Sequence, residues 1–348
     1  MPTKILVTGA CGQIGTELVP TLRLKYGREN VIASDRHLVT DELINDGLYV
    51  KADVMNPVML ERVINHGGIT QVYHLAAILS ASGEQHPRKT WDLNMQSLLN
   101  VLEAARKRKN CRVFWPSSIA VFGPGSPKAA CAQSAATDPT TIYGISKVAG
   151  EHWCRYYNEH YGLDVRSVRF PGLISHTAKA GGGTTDYAVE IFHKAVSERH
   201  YTSFLRCDTC LPMLYMADAI RGTLELMEAP RASLTVNTSY NMASMSFTPA
   251  QLAAEIGKYM PDFLLSCDPD KRQLIADSWP SSIDDRHARA DWGWSPQYDI
   301  ELMTKDMLHH LQPKALSESV TNDSYFENGS RLRNGSLLNT LTHGKDRG

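Results

Sequence analysis

The sequence predicts an α/β protein built on a doubly wound, mostly parallel sheet, with a smaller lobe interleaved with it. Three observations carry this reading. Short apolar runs alternate with amphipathic helical patterns through the first half of the chain. Several of those runs are apolar on consecutive positions, and a glycine-rich turn joins the first run to the first helix.

Strands are expected at residues 4–8, 31–35, 48–51, 71–75, 111–116 and 165–170. Helices are expected at 14–26, 57–65, 95–108 and 143–161. Alternation of this kind gives right-handed crossovers and parallel neighbours. Ile5-Leu6-Val7 and Val113-Phe114-Trp115 are apolar on every position. A strand covered by helices on both faces needs that, whereas a half-exposed strand alternates. From Pro171 the pattern becomes irregular, with a flexible Gly181-Gly182-Gly183-Thr184-Thr185 loop and helical patterns at 186–198, 217–227 and 248–258. We therefore expect a nucleotide-binding domain over 1–170, mainly a substrate lobe over 171–314, and a disordered Ser-, Asn- and Gly-rich tail over 315–348.

Composition narrows the function. Thirty-six Lys and Arg against 37 Asp and Glu leave a formal net charge of -1, which removes the electrostatic case for nucleic acid or an anionic membrane. Seven cysteines in a chain of 348 residues do not form a secreted disulfide framework, so a reducing compartment is expected. The first apolar run begins at Ile5, leaving no room for a targeting segment, and the expected location is cytoplasmic. No metal site is expected. Cys207-Asp208-Thr209-Cys210 lacks a second ligand pair nearby, and His309-His310 reads as surface.

Gly9-Ala10-Cys11-Gly12-Gln13-Ile14-Gly15 follows a strand and opens a helix. Glycines there admit a tight turn and close approach of a diphosphate to helix N–H groups. Asp35 ends the second strand, where a carboxylate accepts both ribose hydroxyls of NAD and repels the 2′-phosphate of NADP; Arg36 softens that preference. Tyr143 and Lys147 stand four residues apart, on one face of a helix. A phenol ionises near pH ~10, and an adjacent ammonium favours its phenolate, suiting Tyr143 to act as a base. Ser118 ends a strand at the ligand side of such a sheet and can hold a substrate oxygen, without deciding between itself and Ser117.

In this order, these motifs resemble the extended branch of the short-chain dehydrogenase/reductase superfamily, over about residues 4–312. Its Rossmann domain binds NAD. The resemblance implies that Asp53 and Val54 meet the adenine, and that Leu75, Ala76 and Ala77 after His74, with Asn94 and Leu173, join the cofactor site. Arg169-Phe170-Pro171-Gly172-Leu173-Ile174 departs from the Arg-Tyr-Phe-Asn usual in nucleotide-sugar epimerases and dehydratases. Pro171–Ser175 with Gly181–Ala188, Leu79–Glu84 and Ser278-Trp279-Pro280 resemble short-chain L-threonine 3-dehydrogenases.

That resemblance implies oxidation of L-threonine to 2-amino-3-oxobutyrate, with Tyr143 as base, Lys147 on the nicotinamide ribose and Ser118 on the hydroxyl. It also implies a homodimer and admits a mitochondrial location. Ser80, Ser82, Thr184 and Thr185 are expected to hold the zwitterion under Trp279, with the triple glycine as a hinge. The alternatives are a nucleotide-sugar epimerase or dehydratase, and a non-catalytic NAD-sensing scaffold. The presence of Ser118, Tyr143 and Lys147 argues against the last.

Overall fold

The computed structural model describes residues 3–37, 46–108, 110–178 and 181–312; the expected tail at 315–348 lies outside them. The chain divides into Met1–Leu311 and Gln312–Gly348. Among the described residues the strands are β1 Ile5–Thr8, β2 Val31–Asp35, β3 Leu48–Lys51, β4 Gln71–His74, β5 Arg112–Ser118, β6 Asp164–Phe170, β7 Gly172–Ile174, β8 His200–Ser203, β9 Leu211–Tyr215, β10 Tyr240–Asn241, β11 Met245–Phe247 and β12 Leu264–Cys267. The helices are α1 Gly15–Tyr26, α2 Pro57–His66, α3 Ser80–Gly83, α4 Pro87–Arg106, α5 Ile142–Tyr161, α6 Tyr187–Glu198, α7 Met216–Glu228, α8 Pro249–Gly257, α9 Arg272–Ser278, α10 Arg286–Trp292 and α11 Ile300–Leu311.

The main sheet has seven strands in the order β10-β6-β5-β4-β1-β2-β3. Every pairing in it is parallel. Chain order reverses between β1 and β4, so the two connections leave opposite faces and open a crevice above the strand ends. The double covering expected from the apolar runs is present. Ile5 and Val7 pack with Leu18, Leu22 and Ile220, while Leu6 packs with Leu60, Leu98 and Leu102 on the other face.

The second half of the chain contributes β10 to this sheet, β11-β9-β7 and the β12-β8 pair. Its apolar core gathers Tyr187, Phe192, Leu205, Met213, Phe247, Leu252 and Met307. Two features depart from the sequence reading. Helix α4 begins at Pro87 rather than at 95, because its first turn is polar and Trp91 and Leu93 alone make no apolar stripe, while Pro87 suits an N-terminal helical position. Cys207, in the segment after β8, forms a disulfide with Cys267 at the end of β12, although the sequence pointed to a reduced chain and weighed Cys207 only within a C-x-x-C metal motif.

Candidate active site

A cavity of about 1280 Å³ opens at the reversal point between β1 and β4. Its wall includes Gly9, Gly12, Gln13, Ile14, Gly15, Asp35, Arg36, Asp53, Val54, Leu75, Ala76, Ala77 and Leu173 at one part, and Ser80, Ser82, Ser118, Tyr143, Lys147, Thr184, Thr185 and Trp279 at another. The sequence-predicted residues therefore meet at one site, with one exception. Asn94 does not line the cavity. Its side chain accepts from Ile78 N (2.8 Å) and donates to Ile78 O (3.2 Å) and Ser146 Oγ (3.2 Å). It braces the segment after β4 against α5.

The glycine turn is built by close backbone approach. Gly9 has φ +72°, and a Cβ there would stand 2.6 Å from Ala76 N. A Cβ on Gly15 would meet Ala10 O at 2.4 Å. Gly12 is exposed and would meet only Gly9 O, at 3.3 Å, so it presents bare backbone to the cavity. Gln13 Nε2 is buried without a hydrogen-bond partner beside this turn. Asp35 accepts from Cys11 N (3.3 Å) and His37 N (3.4 Å), which fixes its carboxylate at the end of β2. A bare-backbone cradle at a helix N-terminus, an unpartnered donor beside it and a carboxylate at the second strand end fit the diphosphate and ribose of a dinucleotide.

Beneath that cradle, His74 bridges Thr8 Oγ1 (2.8 Å) and Ser97 Oγ (3.1 Å). Burial, helped by the charge of Lys147, pushes it down to about 3, so it is neutral and structural.

The catalytic-type residues come from β5 and α5. Thr141 caps α5 by accepting from Gly144 N (3.0 Å), which fixes the first turn where Tyr143 sits. Gly144 lets that turn touch β5's extension, since a Cβ there would lie 2.1 Å from Ala120 O. Burial pushes the Tyr143 phenol up to about 12, against a hydrogen bond from Ser118 that lowers it. Lys147 Nζ donates to Pro116 O (2.6 Å) and lies 4.4 Å from the Trp115 ring centroid and 5.4 Å from that of Tyr143. Burial pushes its ammonium down to about 7.

Spacing did not disclose the support under this pair. Glu151 is one turn beyond Lys147 on α5 and is buried. It forms a bidentate pair with buried Arg169 at 2.8 Å for each bond and accepts from Ser117 Oγ at 2.7 Å. Ser117 is thereby committed to Glu151, leaving Ser118 as the hydroxyl beside Tyr143. The Tyr143, Lys147, Glu151 periodicity was the available signal.

At the other wall, Ser80 and Thr184 share a 3.3 Å hydrogen bond, and Ser82 N donates to Gly182 O (3.4 Å). Asp186 accepts from Gly182 N and Gly183 N, both at 2.7 Å, so the triple glycine is clamped by a side chain that the sequence reading had passed over. Trp279 is buried.

This cradle, carboxylate and Ser/Tyr/Lys set define an NAD-dependent oxidoreductase of the extended short-chain dehydrogenase/reductase class. The chain belongs to the NAD dependent epimerase/dehydratase family, whose model matches residues 5–243. Among solved structures it is similar to a GalE-like L-threonine dehydrogenase from Cupriavidus necator in its holo form, with 55% identity, TM-score 0.86, and coverage of 89% of this chain and 100% of that one. It is also similar to the L-threonine dehydrogenase of Clostridium difficile, at 44% identity and TM-score 0.87 over 89% and 97% of the two chains. A curated relative from Staphylococcus saprophyticus, described as an uncharacterized epimerase/dehydratase, is 47% identical over 90% of this chain and 99% of its own length. No helix among the described residues is long and apolar enough to cross a membrane.

Proposed function

We propose that this protein oxidises the secondary alcohol of L-threonine with NAD, giving 2-amino-3-oxobutyrate, NADH and a proton. The observation that carries the reading is the convergence of Ser118, Tyr143 and Lys147 with Ser80, Thr184, Thr185 and Trp279 in the cavity that also contains the glycine cradle. The likeness to L-threonine dehydrogenases at 55% identity supports the same substrate.

Bound in the cradle, NAD supplies the acceptor for a hydride from the substrate's hydroxyl-bearing carbon. Tyr143, as phenolate, takes the hydroxyl proton, and that O–H electron pair becomes the new carbonyl bond. Ser118 donates to the same oxygen and holds it near the phenol. Lys147 stabilises the phenolate and bonds the nicotinamide ribose. Gly12, Gln13 and Ile14 hold the diphosphate, and Asp35 takes the adenosine ribose. Ser80, Ser82, Thr184 and Thr185 bind the zwitterion through charge-assisted hydrogen bonds, and Trp279 excludes water over it.

Incubation of the full chain with NAD and L-threonine, followed by NADH absorbance and detection of 2-amino-3-oxobutyrate or its decarboxylation product, tests the reading. NADH formation with threonine and none with nucleotide sugars is expected; turnover of a nucleotide sugar alone would replace it. The exposed Trp91, Ile145, Trp153 and Tyr156 on α4 and α5 support the homodimer that the resemblance implies. Light scattering at the monomer mass would overturn that part.

A further inference from the structure

His176 follows β7 by two residues, and Asp306 and His310 lie one turn apart on α11. Their ligand atoms lie within 4.8 Å of one another, and they are the one such trio among the described residues. The two imidazole rings are stacked, with centroids 3.9 Å apart and planes 11° apart. Glu17, in the first turn of α1, faces the same group: it interacts electrostatically with both Asp306 and His310. Ser175 donates a hydrogen bond to Glu17, and Tyr215 donates one to Asp306.

We propose that His176, Asp306 and His310, with Glu17 as a nearby fourth donor, form a binding site for a divalent transition ion of the zinc type. The chemistry of the donors points this way. Two stacked imidazolium rings would repel, so the pair offers a neutral ring nitrogen. Two nitrogens and a carboxylate make the borderline set that zinc prefers, whereas magnesium and calcium favour all-oxygen sites. Zinc bonds of about 2.0–2.2 Å need ligand atoms a little over 3 Å apart, which is within reach by side-chain rotation from the present spacing. His310 is exposed, so an ion has an entry path.

The position gives such an ion a consequence. Its ligands come from α1, the segment after β7 and α11, so binding would tie these three together. Thr177 and Ala178, immediately after His176, line the cavity, as does Thr16 immediately before Glu17. An ion here lies outside the Ser/Tyr/Lys centre but borders the wall of the dinucleotide cavity.

The test titrates zinc, in competition with a chromophoric chelator, into the full chain freed of any affinity tag. The wild-type protein is compared with His310→Asn and with His176→Asn/His310→Asn. His310 is exposed, so the single variant keeps its fold, and a matched thermal melt checks this. The expected result is one more bound equivalent in wild type than in the double variant. The single variant should weaken that site by more than the roughly 10–100-fold that loss of an outer-shell partner costs. Cobalt substitution should give the intense visible bands of a tetrahedral site in wild type and lose them in both variants. Equal zinc uptake by wild type and double variant overturns the proposal. So does a cobalt spectrum of the weak octahedral kind in wild type, or displacement of zinc by equimolar magnesium.

Discussion

Replacing Lys147 by Met should make the cofactor-free protein more stable while abolishing its activity. The Lys147 ammonium is buried and is pushed from its ordinary 10.5 down to about 7. At roughly 1.4 kcal/mol per pKa unit, holding the charge in the fold costs on the order of 5 kcal/mol below about pH 7. Met has a similar length and carries no charge, so it removes that cost. It also removes the donor to Pro116 O, and an unpaired buried carbonyl costs about 1–3 kcal/mol. The net expectation is a gain of about 2–4 kcal/mol at acidic to neutral pH.

The sign changes with pH. Between the folded and unfolded values the unfolded chain holds more protons at this lysine, so wild-type stability rises with pH across that window. Near pH ~10.5 the charge cost is gone and the neutral amine still bonds Pro116, so wild type should be the more stable by about 1–3 kcal/mol. Urea unfolding of both proteins without NAD, below and well above neutral pH, measures the crossing. A variant that is less stable by the same amount at both pH values would refute the buried-charge argument.

Tyr143→Phe should reduce turnover with threonine by about 10²–10⁴-fold and leave NAD affinity nearly intact; retention of more than about a tenth of turnover at saturating substrate excludes Tyr143 as the base. Because burial pushes this phenol up to about 12, its base form becomes more abundant as pH rises, and the wild-type rate should climb with it. A flat profile while hydride transfer is limiting counts against the mechanism. Asp35→Ala should raise the Kd for NAD by the equivalent of about 1.5–3 kcal/mol per lost hydrogen bond and lower the preference for NAD over NADP; an unchanged preference sinks the assignment. Thr185→Ala should weaken threonine use and spare NAD binding, and threonine added to the NAD complex should slow amide exchange over 181–190. Equal exchange with and without threonine would leave that loop a passive wall.

Six strands of the main sheet were legible because continuous apolar runs and turn residues punctuate them. Strand β10 was not, since Tyr240-Asn241 is too short to carry a period. The Cys207–Cys267 bond joins residues 60 apart, a separation no spacing rule reveals. At the site, motif residues at strand ends and helix starts were readable because the chemistry constrains both residue type and spacing. Asn94 bonds Ile78 and Ser146 instead of lining the cavity, and the sequence could not separate these roles because an amide suits a cofactor contact and a backbone brace equally well. The Ser117–Glu151–Arg169 group was hidden for a different reason. A buried ion pair looks like surface charge until burial is known.

Tyr143, Lys147 and Glu151 follow one another at four-residue steps along α5, and each is fixed to a different partner on β5 or β6: Ser118, Pro116 and Arg169. A helix turns by about 100° per residue, so one inserted or deleted residue within 142–151 would swing the residues beyond it off this face. A substitution at one position changes that side chain and leaves the phase of the others untouched, and Ile145 is the one exposed side chain in the span. In a mutational library the reacting centre should therefore survive a substitution at Ile145 yet no change of length between 142 and 151, a contrast that can be read without any substrate.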